Sequence, residues 1–175
     1  NAHKPTRPCP KAPLLCQATC AQFEYSPEEL IDRLDYELEQ QEFLGDAFPY
    51  INFDCFGPGV LAAFCGAKLD NSSGGVWFFP PEGAEDIETL HIRYDPDNVW
   101  AKRLKEIYRA GNQRWQGQVL MGMTDLGGVL DVVASFRGTD TLLLDLYDAP
   151  EEVERLCREA QQAWFTAYED LNAVL

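Results

Sequence analysis

Apolar positions along the chain recur with two periods, and the two alternate. Leu30, Ile31, Leu34 and Leu38 are spaced as one face of a helix, with acidic residues on the other face. The segment opens on Ser26-Pro27-Glu28-Glu29, an N-cap serine, a proline at the first helical position and a glutamate at the third, and Gly45 is its expected stop. A second helix is expected from Asp95-Pro96, with Val99, Trp100, Leu104, Ile107 and Tyr108 on one face and Gly111 as its end. Asp148-Ala149-Pro150-Glu151 reads as another capping box. It opens a long last helix with Val153, Leu156, Cys157, Ala160, Trp164, Ala167 and Leu171 inward.

Between these helices lie short apolar runs of strand length: residues 13–19, 47–53 and 118–123, with shorter candidates at 76–79 and 89–93. Residues 60–65 read as a short helix closed by Gly66, 68–75 as a polar loop, and 139–147 as a short helix after a helix ending near Gly138. The order is β–α–β–α–short hairpin–α–β–α–α. Strands alternating with amphipathic helices predict an α/β fold with parallel strands joined by crossover helices.

The length of 175 residues fits one domain, residues 3–175, after an Asn1-Ala2 stub that resembles a tag remnant. The formal charge of −15 argues against nucleic acid or an anionic membrane as partner, since both would be repelled. No apolar run approaches the ~20 residues that cross a bilayer. The six cysteines lie mostly in or beside apolar segments and form no Cys-x-x-Cys pair. They read as reduced, buried thiols, so no metal site is assigned and a cytoplasmic location is expected. His91 has no acid at a telling spacing.

Candidate chemistry gathers where strands end. Asp54 stands at the exit of strand 47–53, ahead of Gly57-Pro58-Gly59, and a carboxylate at the C-terminal mouth of an apolar strand is a usual address of α/β active sites. Its competing role is to cap the helix that follows. Thr124 and Asp125 stand at the exit of strand 118–123. Asp125 reads as an N-cap in preference to a substrate contact. Gly127-Gly128, like Gly57 and its neighbours, lets a ligand approach the backbone, and free N–H groups there would suit an anion.

Two stretches taken together carry a resemblance. Ser26-Pro27-Glu28 through Asp54 resembles the uroporphyrinogen decarboxylase superfamily, whose helix opens on Ser-Pro-Glu and leads to a strand ending in Ser-Asp. Residues 119–138, followed by Asp-Leu-Tyr-Asp-Ala-Pro-Glu-Glu-Val-Glu-Arg-Leu at 145–156, resemble its next strand, helix and Asp-x-Pro-Glu-x-Val helix start. The match runs in the family's order over most of residues 12–170. It implies a (β/α)₈ barrel, of which the chain would be the N-terminal half, since such barrels need about 250 residues. It also implies tetrapyrrole decarboxylation or corrinoid-dependent methyl transfer, with Asp54 accepting hydrogen bonds from substrate N–H groups. Thr124, Asp125, Gly127, Gly128 and Gly57 would line the substrate.

The family's arginine clamp for substrate carboxylates is absent from residues 17–23, and its active-site tyrosine is absent near Ala134. These departures speak against a true uroporphyrinogen decarboxylase. The resemblance places the zinc ligands of the superfamily's corrinoid-dependent methyltransferases in the C-terminal half, so zinc or a corrinoid is expected only in the full-length parent, and the fragment alone is expected to be inactive. A small-molecule substrate, a tetrapyrrole or methyl donor, is the expected partner of the parent. The alternative reading is a non-enzymatic acidic α/β module that forms a homodimer through its sheet edge.

Overall fold

A computed structural model of the chain describes residues 7–84 and 86–175, so Asn1-Ala2 and His3 lie outside the described residues. Helix α1 (Pro27–Leu38) forms as its capping signals require. Ser26 Oγ accepts from the Glu29 N–H at 3.2 Å, and the Glu29 carboxylate accepts from the Ser26 N–H at 2.8 Å. The helix stops at Glu39, ahead of Gly45, because Gln41 and Glu42 offer no apolar group to continue the buried stripe.

Strand β1 (Tyr50–Ile51) is shorter than the expected 47–53, and a 3₁₀ turn at Asp54–Phe56 follows it. The wholly buried helix α2 (Leu61–Phe64) follows. Strands β2 (Lys68–Asp70) and β3 (Trp77–Phe79) pair antiparallel, so the hairpin forms from part of the stretch expected to be a loop. Helix α3 (Val99–Trp115) starts later and ends later than expected. Asn98 Oδ1 caps it by accepting from the Trp100 N–H at 2.9 Å, and it runs through Gly111 to Gln116, which adopts the left-handed conformation. Gly111 is a close-packing position: a Cβ there would lie 2.5 Å from Met121 Sδ and 3.0 Å from the Trp115 ring.

Strand β4 (Leu120–Met121) pairs parallel with β1 in the register Tyr50↔Leu120 and Ile51↔Met121. Helices α4 (Val129–Arg137), α5 (Thr139–Asp148) and α6 (Pro150–Asn172) fall where the periodicity places them. Asp148 makes no capping bond to α6, which begins on Pro150 instead. Cys157 and Trp164 are only half-buried, and Ala163 joins the inward row.

The result is a mixed α/β structure with one small parallel sheet and one antiparallel hairpin, and the described residues do not close a barrel. Two expected strands are missing. Residues 13–19 form turns, because Thr19 Oγ1 accepts from the Cys16 N–H and donates to the Leu14 carbonyl, which gives the backbone a local alternative to pairing. Residues 89–93 are unpaired and are held to α6 by side chains. No described helix is long and apolar enough to cross a membrane.

The core gathers Phe53, Phe56, Phe64, Leu104, Ile107, Tyr108 and Leu156, so the parallel strands, α2, α3 and α6 share one apolar interior. Charged groups tie the connecting segments onto it. Glu159 on α6 accepts from the Ile92 N–H and from His91 Nδ1, both at 2.9 Å, while Arg155 donates to the Leu90 and Ile87 carbonyls. Asp170 accepts from Lys105 Nζ at 2.6 Å and from the Tyr94 hydroxyl at 2.5 Å. Burial alone would raise the pKa of both carboxyls, but these hydrogen bonds outweigh it and hold them below their ordinary values of 4.5 and 3.8.

A depressed carboxyl pKa stabilises the fold above the unfolded value, and that stability is lost as pH falls through the folded value. The melting temperature is therefore expected to fall as pH drops below 4.5, the ordinary glutamate value. Asp170→Asn, which removes the carboxylate that pairs with Lys105, should cost about 1–3 kcal/mol at neutral pH. It should also flatten the acid limb when melting is followed by circular dichroism, with the loss kept modest because Asp170 is partly open to solvent.

Candidate functional site

Parallel pairing of β1 with β4 brings two strand exits side by side, and the candidate residues meet there. Asp54 Oδ1 accepts from the Asp125 N–H at 2.8 Å, and Asp54 Oδ2 accepts from Asn52 Nδ2 at 2.5 Å. Asp54 makes no capping bond to the 3₁₀ turn or to α2. Its competing role as a helix cap is replaced by that of a clasp between two strand ends. Asn52 lies two residues before Asp54, between the end of β1 and the 3₁₀ turn, so this contact is local in sequence.

Asp125 is not the N-cap of α4. That helix starts at Val129, after Gly128, and Asp125 Oδ1 accepts from the Gly127 N–H at 2.8 Å within the preceding loop. The loop also grips the other turn: the Asp125 carbonyl accepts from the Gly59 N–H at 3.0 Å and the Val60 N–H at 3.2 Å. The two turns touch so closely that a Cβ on Gly127, whose φ is +79°, would lie 2.4 Å from Gly59 Cα. Gly57, at φ +82°, is pressed against Val76 in the same way, 2.8 Å from Cβ to Cβ. These glycines serve contact between backbones and between turn and hairpin.

The anion-binding expectation for the glycine turns is corrected by the same hydrogen bonds. Gly57 N–H donates to the Asp54 carbonyl, Gly59 to Asp125, Gly127 to the Asp125 carboxylate and Gly128 to Asp131 Oδ2 at 3.2 Å. The donors that would have held a phosphate or carboxylate are already used, and by acidic side chains in two cases. None of the described ion pairs involves Asp54, Asp125 or Asp131. The mouth is therefore rich in acceptors and negative charge, which suits a ligand bearing N–H donors or positive charge.

Below the mouth, the buried Tyr108 hydroxyl accepts from the Thr124 N–H at 2.9 Å and donates to the Gly122 carbonyl at 3.4 Å. Burial raises its phenol pKa, so it stays a neutral donor and acceptor. Thr124 is itself buried, and its Oγ1 has no hydrogen-bond partner among the described residues. Behind the loop, Trp164 Nε1 donates to the Gly127 carbonyl at 3.2 Å. Tyr108 and Trp164 were legible only as apolar positions on helices; their polar contacts are long-range and leave no local trace in the sequence.

Other candidates do not join the mouth. His91 finds its acid partner in Glu159, 68 residues away, at the α6 surface. Cys20, Cys55 and Cys65 are held as thiols: burial pushes Cys20 up to about 11 and Cys65 up to about 12, and it also raises Cys55. No group of three or more His, Cys, Asp or Glu side chains among the described residues is arranged to hold a metal ion. A cleft of about 480 Å³ between α1 and α3 is lined by Ile31, Asp32, Ala110 and Arg114 and includes none of the mouth residues.

Comparison of the chain with models of protein families, with curated proteins and with solved structures finds no match.

Gly127→Ala is expected to destabilise the fold by at least about 1–3 kcal/mol from the left-handed backbone alone, with a further loss from the clash with Gly59. Gly66→Ala serves as the control, because it shares a positive φ and has open space around it. Urea unfolding of the two variants should show the larger loss for Gly127→Ala.

Proposed function

We propose that the chain forms part of the active-site mouth of a uroporphyrinogen decarboxylase-like enzyme, with Asp54 as the hydrogen-bond acceptor for its ligand. The observation that carries this reading is the meeting of Asp54 and Asp125 at adjacent exits of two parallel strands, where α/β enzymes bind ligands. Of the two reactions the resemblance implies, corrinoid-dependent methyl transfer suits these residues better. A polycarboxylate tetrapyrrole needs guanidinium groups, and residues 17–23 contain no Arg. A corrinoid presents a periphery of amide N–H donors, which fits an acceptor-rich rim of Asp54 and Asp125.

In this reading the bound corrinoid would supply the methyl-transfer chemistry. Asp54, braced by Asn52 and the Asp125 N–H, would accept an N–H of the ligand and stabilise positive charge near it. Thr124, whose hydroxyl is buried, would support the mouth from below without touching the ligand. The described residues do not fit a zinc site, and no step is assigned to zinc.

The test is equilibrium binding of methylcobalamin and of uroporphyrinogen to the protein, followed by absorbance. Methylcobalamin should bind saturably, and Asp54→Asn should weaken it roughly tenfold, the scale of one charge-assisted hydrogen bond, with only a small fall in melting temperature because the amide oxygen still accepts from the Asp125 N–H while the bond from Asn52 is lost. Tight uroporphyrinogen binding would shift the reading to decarboxylation. Binding of neither ligand, or an unchanged affinity in Asp54→Asn, would overturn it.

A second reading has its own observation. Tyr50 and Leu120, paired across β1 and β4, are 46% and 55% exposed, so one face of the parallel sheet is open. This favours a non-enzymatic module that dimerises through its sheet. A dimer by light scattering that Tyr50→Lys converts to monomer, together with no ligand binding, would select it.

A further inference from the structure

Helix α5 carries apolar side chains on its outer as well as its inner side. Its inner side is held in place by buried Leu142 and by Asp145, whose carboxylate pairs with the buried Arg137 at 2.6 and 3.0 Å. Its outer side carries Leu143, Leu144, Leu146 and Tyr147, which are 62%, 66%, 48% and 89% exposed. At 3.6 residues per turn these four cover about 160° of the helix, opposite Leu142 and Asp145. Four large apolar side chains exposed together on one side of a short helix form a contiguous apolar patch, the kind of surface that marks an interaction site.

The surrounding charge selects the occupant. Between Thr139 and Asp148, α5 contains no Lys or Arg. Asp140 and Asp148 flank the apolar face at its two ends, and Glu151 is exposed at the start of α6. A second copy laid antiparallel on α5 would set Asp140 against Asp148 with no countercharge, in a chain that already carries −15. An anionic lipid surface would be repelled for the same reason.

We infer that the outer face of α5 docks an amphipathic helix of a partner protein, one with an apolar stripe flanked by lysine and arginine. Leucine and tyrosine side chains would fill the stripe, and the acidic ends would set the partner's register by pairing with its basic residues. The fixed inner anchor, Arg137 with Asp145, presents this face without rearrangement.

The test uses the chain with two synthetic helical peptides that share a leucine stripe, one flanked by lysines and one by glutamates. Fluorescence anisotropy should show the lysine peptide binding at least about tenfold more tightly, with affinity falling as salt rises. Leu144→Asp and the milder Leu144→Ser should each weaken binding, the first by about tenfold or more, with unchanged melting curves because the residue is exposed. Asp140→Asn with Asp148→Asn should narrow the difference between the two peptides. Equal binding of both peptides, or wild-type affinity in Leu144→Asp, would overturn the inference. So would a dimer that Leu144→Asp dissociates, which would make a second copy the occupant, or Leu144-dependent binding to phosphatidylcholine vesicles.

Discussion

The bond between the Asp54 carboxylate and the Asp125 N–H joins two strand exits that are otherwise held by a parallel ladder of only two residue pairs. So short a ladder cannot by itself define a mouth. The definition comes from the loops, where the amides of Gly59, Val60 and Asp125 donate to the other loop and those of Gly127 and Gly128 to acidic side chains nearby. Buried or crowded backbone groups must be satisfied. Here that requirement consumes the amides of Gly57, Gly59, Val60, Gly127 and Gly128 and leaves acceptors facing outward. The polarity of the site is thus a by-product of how its two turns close.

The same mouth depends on α3 and α6 at a distance. Tyr108 supports Thr124 from α3, and Trp164 supports Gly127 from α6, so the two exits rest on helices that are themselves tied by Lys105 and Asp170. The extended segment 89–93 shows how such ties replace regular structure. It has the apolar–polar alternation of a strand, yet Glu159 and Arg155 satisfy its backbone from α6, and no partner strand is needed. A carboxylate and a guanidinium here do what a neighbouring strand would do in a sheet.

The acidic surface has two consequences that point the same way. At the mouth, three carboxylates without described ion pairs favour ligands that donate hydrogen bonds. On α5, aspartates at both ends of a bare leucine face favour a basic partner over a second copy. Burial and charge act together in both places, since the apolar or backbone contact supplies the surface and the carboxylates choose what meets it.

The helices were legible in the chain because their signals are local: the capping box at Ser26, the glycine at 138, the proline at 150 and the apolar stripes of α3 and α6 all act within a few residues. Asp54 and Asp125 were legible as strand-exit residues for the same reason. Their relation was not, because it joins residues 71 apart through a parallel register that no local pattern encodes. Residues 13–19 have the composition of a strand but form none, because a threonine hydroxyl can outcompete strand pairing, and Gly111 has the look of a helix stop because sequence does not show its close approach to Met121. Local chemistry therefore determined which segments are helical and which residues stand at the turns. Only the tertiary structure decided that the turns face each other, since a backbone N–H takes whatever acceptor the packing of distant elements brings within reach.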